Sequence, residues 1–303
     1  MTSLVSFSSV GWLALVVTQP VVWLVLIAAA LVHWPLGALW RLITKGPSRN
    51  EIAGRHVLLT GGSEGLGLEL AVLCAKRGAR VSLVARTLSK LEAAKSTVLA
   101  EAGADACVAF AAADVGKKAD LMAAVAKLES ENGPVDVCIA AAGAAIPKYF
   151  DELTDDDFQR MLSVNYMGVV HCAQAMLPGM VSRGRGQFAA VSSMVAACPF
   201  VGYGAYGPAK AACRCLLDTL RNEYADTPLS FHIAFPPDTD TPGMAKENET
   251  KPWETSHVWP EMFNETFKPT DVAKMILDDM YDGCVHSCHA RSSHRASSHC
   301  AAS

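Results

Sequence analysis

No Asp, Glu, Lys or Arg occurs before Arg41. That absence excludes a cleaved secretory signal, which opens with a basic segment and carries only a short apolar core. From Val10 to Val32 the chain reads VGWLALVVTQPVVWLVLIAAALV, long enough to cross a bilayer, which takes about 20 apolar residues. Trp12, Trp34 and Trp40 stand near its ends, where indole rings favour the membrane interface. An uncleaved anchor over residues 1–45 is therefore expected, with Pro20 either kinking the span or turning it back as a re-entrant hairpin. Arg41, Lys45 and Arg49 follow the span and nothing charged precedes it, so the positive-inside rule puts the remaining chain in the cytosol. Two sequons, Asn248-Glu-Thr250 and Asn264-Glu-Thr266, would take sugar only on the opposite, lumenal side.

Other things are scarce. There is no basic stripe: 26 Lys and Arg face 30 Asp and Glu, for a net charge of −4, which argues against a nucleic-acid partner. The ten cysteines show no disulfide framework. Cys74, Cys107, Cys138, Cys172 and Cys198 sit singly in apolar segments, as small buried hydrophobes of a reducing compartment do. Internal repeats are lacking. After Gly283 large apolar side chains run out, and CVHSCHARSSHRASSHCAAS cannot build a core, so residues 284–303 are expected to be a disordered tail. Its Cys284, Cys288 and His289 lack the spacing of a C-x-x-C-H haem motif, and no metal site is assigned.

Between anchor and tail, apolar runs alternate with helical patterns. RHVLLT (55–60), ARVSLVAR (79–86), ACVAFAAADV (106–115), VDVCIAAAG (135–143), GQFAAVSS (186–193) and LSFHIAFPP (229–237) read as strands. Helices are expected over 68–78, 88–103 and 117–133, from a cap near Thr154 through Asn165 towards Met180, and from about Tyr206. Such βαβ alternation predicts a doubly wound parallel sheet of Rossmann type, one α/β domain over residues 46–283.

The first strand runs into TGGSEGLG, which has the form T-G-x-x-x-G-x-G and opens a helix. Gly61, Ser63, Gly65, Leu66 and Gly67 thus form a candidate dinucleotide loop, with glycines letting the backbone approach a pyrophosphate at the helix N-terminus. The second strand ends Val84-Ala85-Arg86, without the acid that would hold the ribose hydroxyls of NAD. Arg86 can pair with a 2′-phosphate, and Lys90 stands one turn further on, so NADPH is favoured. Glu64, inside the loop, opposes this unless its side chain points to solvent. Asp114, at the end of the third strand, is placed to contact the adenine.

GYGAYGPAK (202–210) carries two tyrosines and a lysine. Tyr206 and Lys210 are four apart and share a face if a helix starts here. Pro208 suits a first helical turn and fixes that start. Tyr203 then stays in the loop.

Together with Ser193 and with Asn165 in SVNYMG, these motifs make residues 52–280 resemble the short-chain dehydrogenase/reductases. FPPDTDTPG (235–243) followed by ENETKPWET (247–255) is similar to one branch, the 3-ketodihydrosphingosine reductases, which carry an N-terminal membrane segment and face the cytosol at the endoplasmic reticulum. The resemblance implies that Tyr206 gives a proton to a ketone oxygen while the nicotinamide supplies hydride, and that Lys210 favours the phenolate and binds the nicotinamide ribose. It implies that Ser193, or the adjacent Ser192, holds the substrate oxygen, that Asn165 holds a relay water, and that Thr241, or Thr239, touches the carboxamide. A long-chain sphingoid ketone, a membrane and a homodimer follow as expected partners. A retinol or hydroxysteroid dehydrogenase would show the same catalytic set, whereas a catalytically silent nucleotide-binding scaffold would have no need of it. Two departures stand out: AAAG replaces the usual Asn-Asn-Ala-Gly after the fourth strand, removing a polar contact at Ala141, and the C-terminal apolar region of these reductases is absent.

Overall fold

The computed structural model describes residues 52–263 and 266–288. The expected anchor lies outside the described residues, and among those described no helix is long and apolar enough to cross a membrane. The strands are β1 (His56–Thr60), β2 (Arg80–Ala85), β3 (Val108–Ala112), β4 (Val137–Ala140), β5 (Gly186–Val191), β6 (Leu229–Phe235) and β7 (His286–Cys288). They form one sheet of order 3-2-1-4-5-6-7, with every pairing parallel.

Each strand returns through a helix: α1 (Gly65–Lys76), α2 (Leu88–Ala102), α3 (Lys118–Asn132), α4 (Asp155–Met161) continuing into α5 (Gly168–Arg183), and α6 (Tyr206–Glu223). After β6 come α7 (Pro242–Asn248), α8 (Trp253–Phe263) and α9 (Pro269–Tyr281). Adjacent strand residues point to opposite faces, so Leu59 packs with Leu70, Leu91 and Ile276 of α1, α2 and α9. Leu58 packs with Leu121, Met176 and Cys213 of α3, α5 and α6. Helices cover both faces, which is why every residue of β1 and β4 is buried and why these strands read as continuous apolar runs.

Thr154 does cap α4: its Oγ1 accepts from the Asp157 N–H at 3.2 Å, and the Asp157 carboxylate accepts from the Thr154 N–H at 3.1 Å. The helix then passes through a π-helical segment, Leu162–Met167, before α5. The sequence reading does not foresee α7, α8, α9 or β7. The last of these pairs with Ile233–Phe235 beyond Gly283, in the stretch expected to be tail. Backbone pairing with a buried strand needs no large apolar side chains, so a polar segment can join the sheet.

Chain order reverses between β1 and β4, the two strands that start the opposite halves of the sheet. Helices diverge to opposite faces there and leave a crevice at the strand C-termini.

Candidate active site

The crevice is lined first by the glycine loop. Gly61 has φ +70°, and a Cβ there would lie 2.8 Å from the backbone of Ala142, just past β4. Gly65 has φ +57°, and its Cβ would lie 3.1 Å from the Thr241 side chain. At Gly67 a Cβ would run into the carbonyl group of Gly61. The loop is therefore folded on itself, with room for backbone only. Helix α1 begins here with no acid in its first turn and no side-chain cap from Glu64. Its first N–H groups are thus left for an external acceptor at the positive end of the helix. Ser63 is half-buried, and Leu66 packs its side chain onto the core. Residues of this kind fit a dinucleotide pyrophosphate.

Arg86, just past β2, is exposed and makes no ion pair among the described residues. Lys90 Nζ lies 2.6 Å from Glu64 Oε2, with both side chains more than 40% exposed. The awkward acid of the loop is therefore neutralised, at the cost of engaging one of the two cations expected to bind phosphate. Asp114 Oδ1 accepts from the Gly116 N–H at 3.0 Å, which fixes the turn after β3. Thr239 is buried and donates to the Pro237 carbonyl at 2.8 Å, whereas Thr241 caps α7 beside Gly65, its Oγ1 accepting from the Met244 N–H at 3.1 Å. Of the two threonines it is Thr241 that the fold brings to the glycine loop.

Helix α6 starts at Tyr206, and the next turn carries Lys210, whose Nζ lies 5.8 Å from the centre of the Tyr206 ring. Lys210 is buried, and its Nζ donates to the Val191 carbonyl at 2.8 Å. The two serines after β5 part company. Ser192 is buried and donates to the Lys210 carbonyl at 2.9 Å. Ser193 opens a short turn, its Oγ accepting from the Val195 N–H at 3.2 Å, and its hydroxyl is close enough to the Tyr206 phenol to favour the phenolate.

Asn165 lies in the π-helical segment and is fully buried. Its Oδ1 accepts from the Ala144 N–H at 3.2 Å, and its Nδ2 donates to the Ala144 carbonyl at 2.8 Å and the Met161 carbonyl at 3.1 Å. Its amide is thus occupied in holding the loop after β4. Beside it, Gly143 clears a gap: a Cβ there would lie 3.0 Å from Asn165 Oδ1 and 3.1 Å from Lys210 Nζ. No side chain at Ala141 is needed to hold this loop, because the Ala142 N–H donates to Thr60 Oγ1 at 3.3 Å and β1 pairs β4 from Val57 to Thr60.

Burial, and then the charge of Glu247, push the Tyr206 phenol above its ordinary value, while the Ser193 hydrogen bond pulls the other way. Burial lowers Lys210. Burial thus works against the phenolate that Lys210 is expected to favour.

Glu247 is absent from the sequence-derived site. It lies on α7, where the Tyr203 hydroxyl donates to its Oε1 and Lys251 Nζ stands 3.5 Å from the same oxygen. The Glu247–Lys251 spacing of four was the available signal, but nothing local tells that it meets Tyr203.

Residues 55–252 match the model of the short chain dehydrogenase family. The chain is 38% identical over 242 residues to a 3-dehydrosphinganine reductase of Danio rerio, an alignment covering 78% of this chain and 71% of that one. It is 36% identical over 269 residues to a 3-ketodihydrosphingosine reductase of Bos taurus, covering 87% and 80%. Among solved structures, levodione reductase superposes with a TM-score of 0.71 at 26% identity, covering 78% of this chain and 95% of that one. An actinorhodin polyketide ketoreductase variant with NADPH superposes at 0.68 and 25% identity, covering 75% and 90%.

Proposed function

Since the chain belongs to the short-chain dehydrogenase family, an oxidoreductase family that uses nicotinamide dinucleotides, we propose that it reduces a long-chain 3-keto sphingoid base to the alcohol with NADPH. The observation that carries this is Tyr206 at the start of α6 with Lys210 Nζ 5.8 Å from its ring centre, beside a glycine loop with room for backbone only, in a chain 36–38% identical to reductases of that name. When bound, the cofactor supplies the hydride. The first turn of α1 and the backbone of Gly61–Gly67 would hold its pyrophosphate, Arg86 its 2′-phosphate, Asp114 its adenine end and Thr241 its carboxamide.

The chain's own residues then do the acid–base work. Ser193 orients the ketone oxygen towards Tyr206. Tyr206 gives that oxygen its proton, and the neutral phenol favoured in this site is the form that reduction requires. Lys210, anchored by Val191, places its charge beside the phenolate left behind and is positioned for the ribose hydroxyls. Asn165 keeps the loop after β4 open at Gly143, where a water could return a proton towards Lys210.

Membrane attachment, a cytosolic face at the endoplasmic reticulum and homodimer assembly belong to the same proposal. Phe150 and Trp253 support a lipid substrate: they are 76% and 62% exposed on segments flanking the Tyr203–Tyr206 loop. A hydrogen bond from Tyr149 Oη to Glu254, 2.9 Å long, joins those segments. Exposed aromatics at a site mouth suit an alkyl chain leaving a bilayer.

The test is NADPH oxidation by the detergent-solubilised full chain with 3-ketosphinganine, a steroid ketone and retinal. Turnover confined to 3-ketosphinganine is the expected result. Turnover confined to the other two would replace the substrate, and NADPH binding without any turnover would favour a silent scaffold.

A further inference from the structure

We propose that Glu247 receives the ammonium group next to the reacting ketone, and so selects an α-amino ketone over a neutral one. This rests on the sphingoid-ketone reading above. In such a substrate the amine sits on the carbon beside the carbonyl, so its receptor has to lie close to the phenol that protonates the ketone.

Glu247 has that position. Tyr203, whose hydroxyl it binds, has its ring centre 5.8 Å from that of Tyr206. Helix α7, which carries Glu247, is capped by Thr241 against the glycine loop, so the acid is held on the same rigid frame as the cofactor cradle. Tyr203 and Lys251 both meet its Oε1, and the side chain is 20% exposed. A carboxylate has lone pairs for several donors, so it can accept from a further one.

The local charges point the same way. Glu247 and Asp238 both act on Tyr206 and Tyr203, while Lys251, only 5% exposed, is the cation beside Glu247. Lys210, the other cation here, approaches the Tyr206 ring from its own helix and is tied to Val191. The charges of Glu247 and Asp238 both raise the two phenols, and a bound ammonium would oppose them. Burial raises the Glu247 carboxyl, and the Tyr203 and Lys251 contacts oppose that rise, as an arriving cation also would. The contacts that join α7 to the Tyr203 loop use Oε1, and on a side chain 20% exposed Oε2 stays open to solvent or to a ligand. Ammonium binding would also offset the charge that keeps the proton on Tyr206, coupling recognition of the amine to proton transfer.

The experiment compares kcat/KM for 3-ketosphinganine and for 1-hydroxyoctadecan-3-one, the same chain without its amine, at saturating NADPH. Wild type is expected to prefer the amine. In Glu247→Gln, which keeps size and an acceptor for Tyr203, that preference should fall by about 10- to 100-fold, the worth of one charge-assisted hydrogen bond. Tyr203→Phe, which loosens the clasp but keeps the charge, should retain the preference. An unchanged ratio in Glu247→Gln, or equal loss of the ratio in both variants, overturns the inference. NADPH fluorescence titration checks that each variant is folded. Should Glu247→Gln not fold, wild-type enzyme decides the matter: preference for the free amine over N-acetylated 3-ketosphinganine supports the inference, and equal turnover of the two overturns it. Turnover of 3-ketosphinganine without preference defeats this inference alone, whereas turnover of neither ketone defeats the underlying reading and the inference with it.

Discussion

Gly67→Ala asks whether the glycine loop is folded for close backbone approach or merely happens to be glycine-rich. A Cβ at Gly67 would stand 2.8 Å from the Gly61 carbonyl carbon and 3.3 Å from Gly62 Cα, and closer still to the Gly61 oxygen. Relaxed carbon–carbon contact is about 3.5–4.0 Å, so loop and helix must separate by roughly 1 Å. Every atom in the way is backbone, so no side-chain rotation relieves the clash. Overpacking of this kind costs about 1–3 kcal/mol. For a domain of this size that lowers Tm by about 2–12 °C. The same shift carries the first N–H groups of α1 away from the pyrophosphate. Losing even one hydrogen bond to a charged group there, about 1.5–3 kcal/mol, weakens NADPH binding by about 10- to 100-fold. Gly54→Ala is the control: Gly54 has φ +73° with nothing within 4 Å of a Cβ, so only left-handed strain of about 1–2 kcal/mol applies and NADPH affinity should not move. Differential scanning fluorimetry and NADPH fluorescence titration read both quantities. Wild-type NADPH affinity in Gly67→Ala, with no more thermal loss than in Gly54→Ala, would refute the reasoning.

Three further outcomes follow from the site. Tyr206→Phe should lower kcat by about 100- to 10,000-fold, the worth of a general acid, with NADPH binding retained, while Tyr203→Phe stays mild; equal loss from both would remove the assignment of the acid. Glu64→Gln breaks the 2.6 Å pair and releases Lys90, so NADPH affinity should rise by about 2- to 5-fold with little change in Tm, because both partners are exposed; an unchanged affinity would show that Lys90 serves only to neutralise the acid, and a fall would show that Glu64 itself supports the cofactor. Reduction requires protonated Tyr206, whose phenol is raised, so the basic limb of kcat/KM should lie above the ordinary tyrosine value of about 10. Removing the Glu247 charge favours the phenolate, so Glu247→Gln should move that limb to lower pH; an upward or absent shift would mean that the Glu247 charge does not raise the phenol.

The alternation of strands and helices, the Thr154 cap, the start of α6 at Tyr206 and the glycine loop were legible in the sequence. These follow from local rules: apolar period, side-chain capping, proline in a first turn and glycine between strand and helix. Local rules also put Tyr206 and Lys210 on one face, because four residues make one helical turn. They reach no further than neighbouring residues, however, and the remaining decisions were tertiary. Ser192 and Ser193 are chemically alike, and only the packing of α6 against β5 commits the first to the Lys210 carbonyl and aims the second at Tyr206. Thr239 and Thr241 were separated in the same way, by which of them meets Gly65. Glu64 and Lys90 are 26 residues apart and became partners because β2 lies beside β1. Glu247, 44 residues from Tyr203, gained its place through a helix with no legible link to α6. The upward shift of the Tyr206 phenol is likewise a property of the folded site, since burial and then the Glu247 charge raise it. A charge's effect depends on distance and dielectric, and the order of residues in a chain specifies neither until the sheet brings them together.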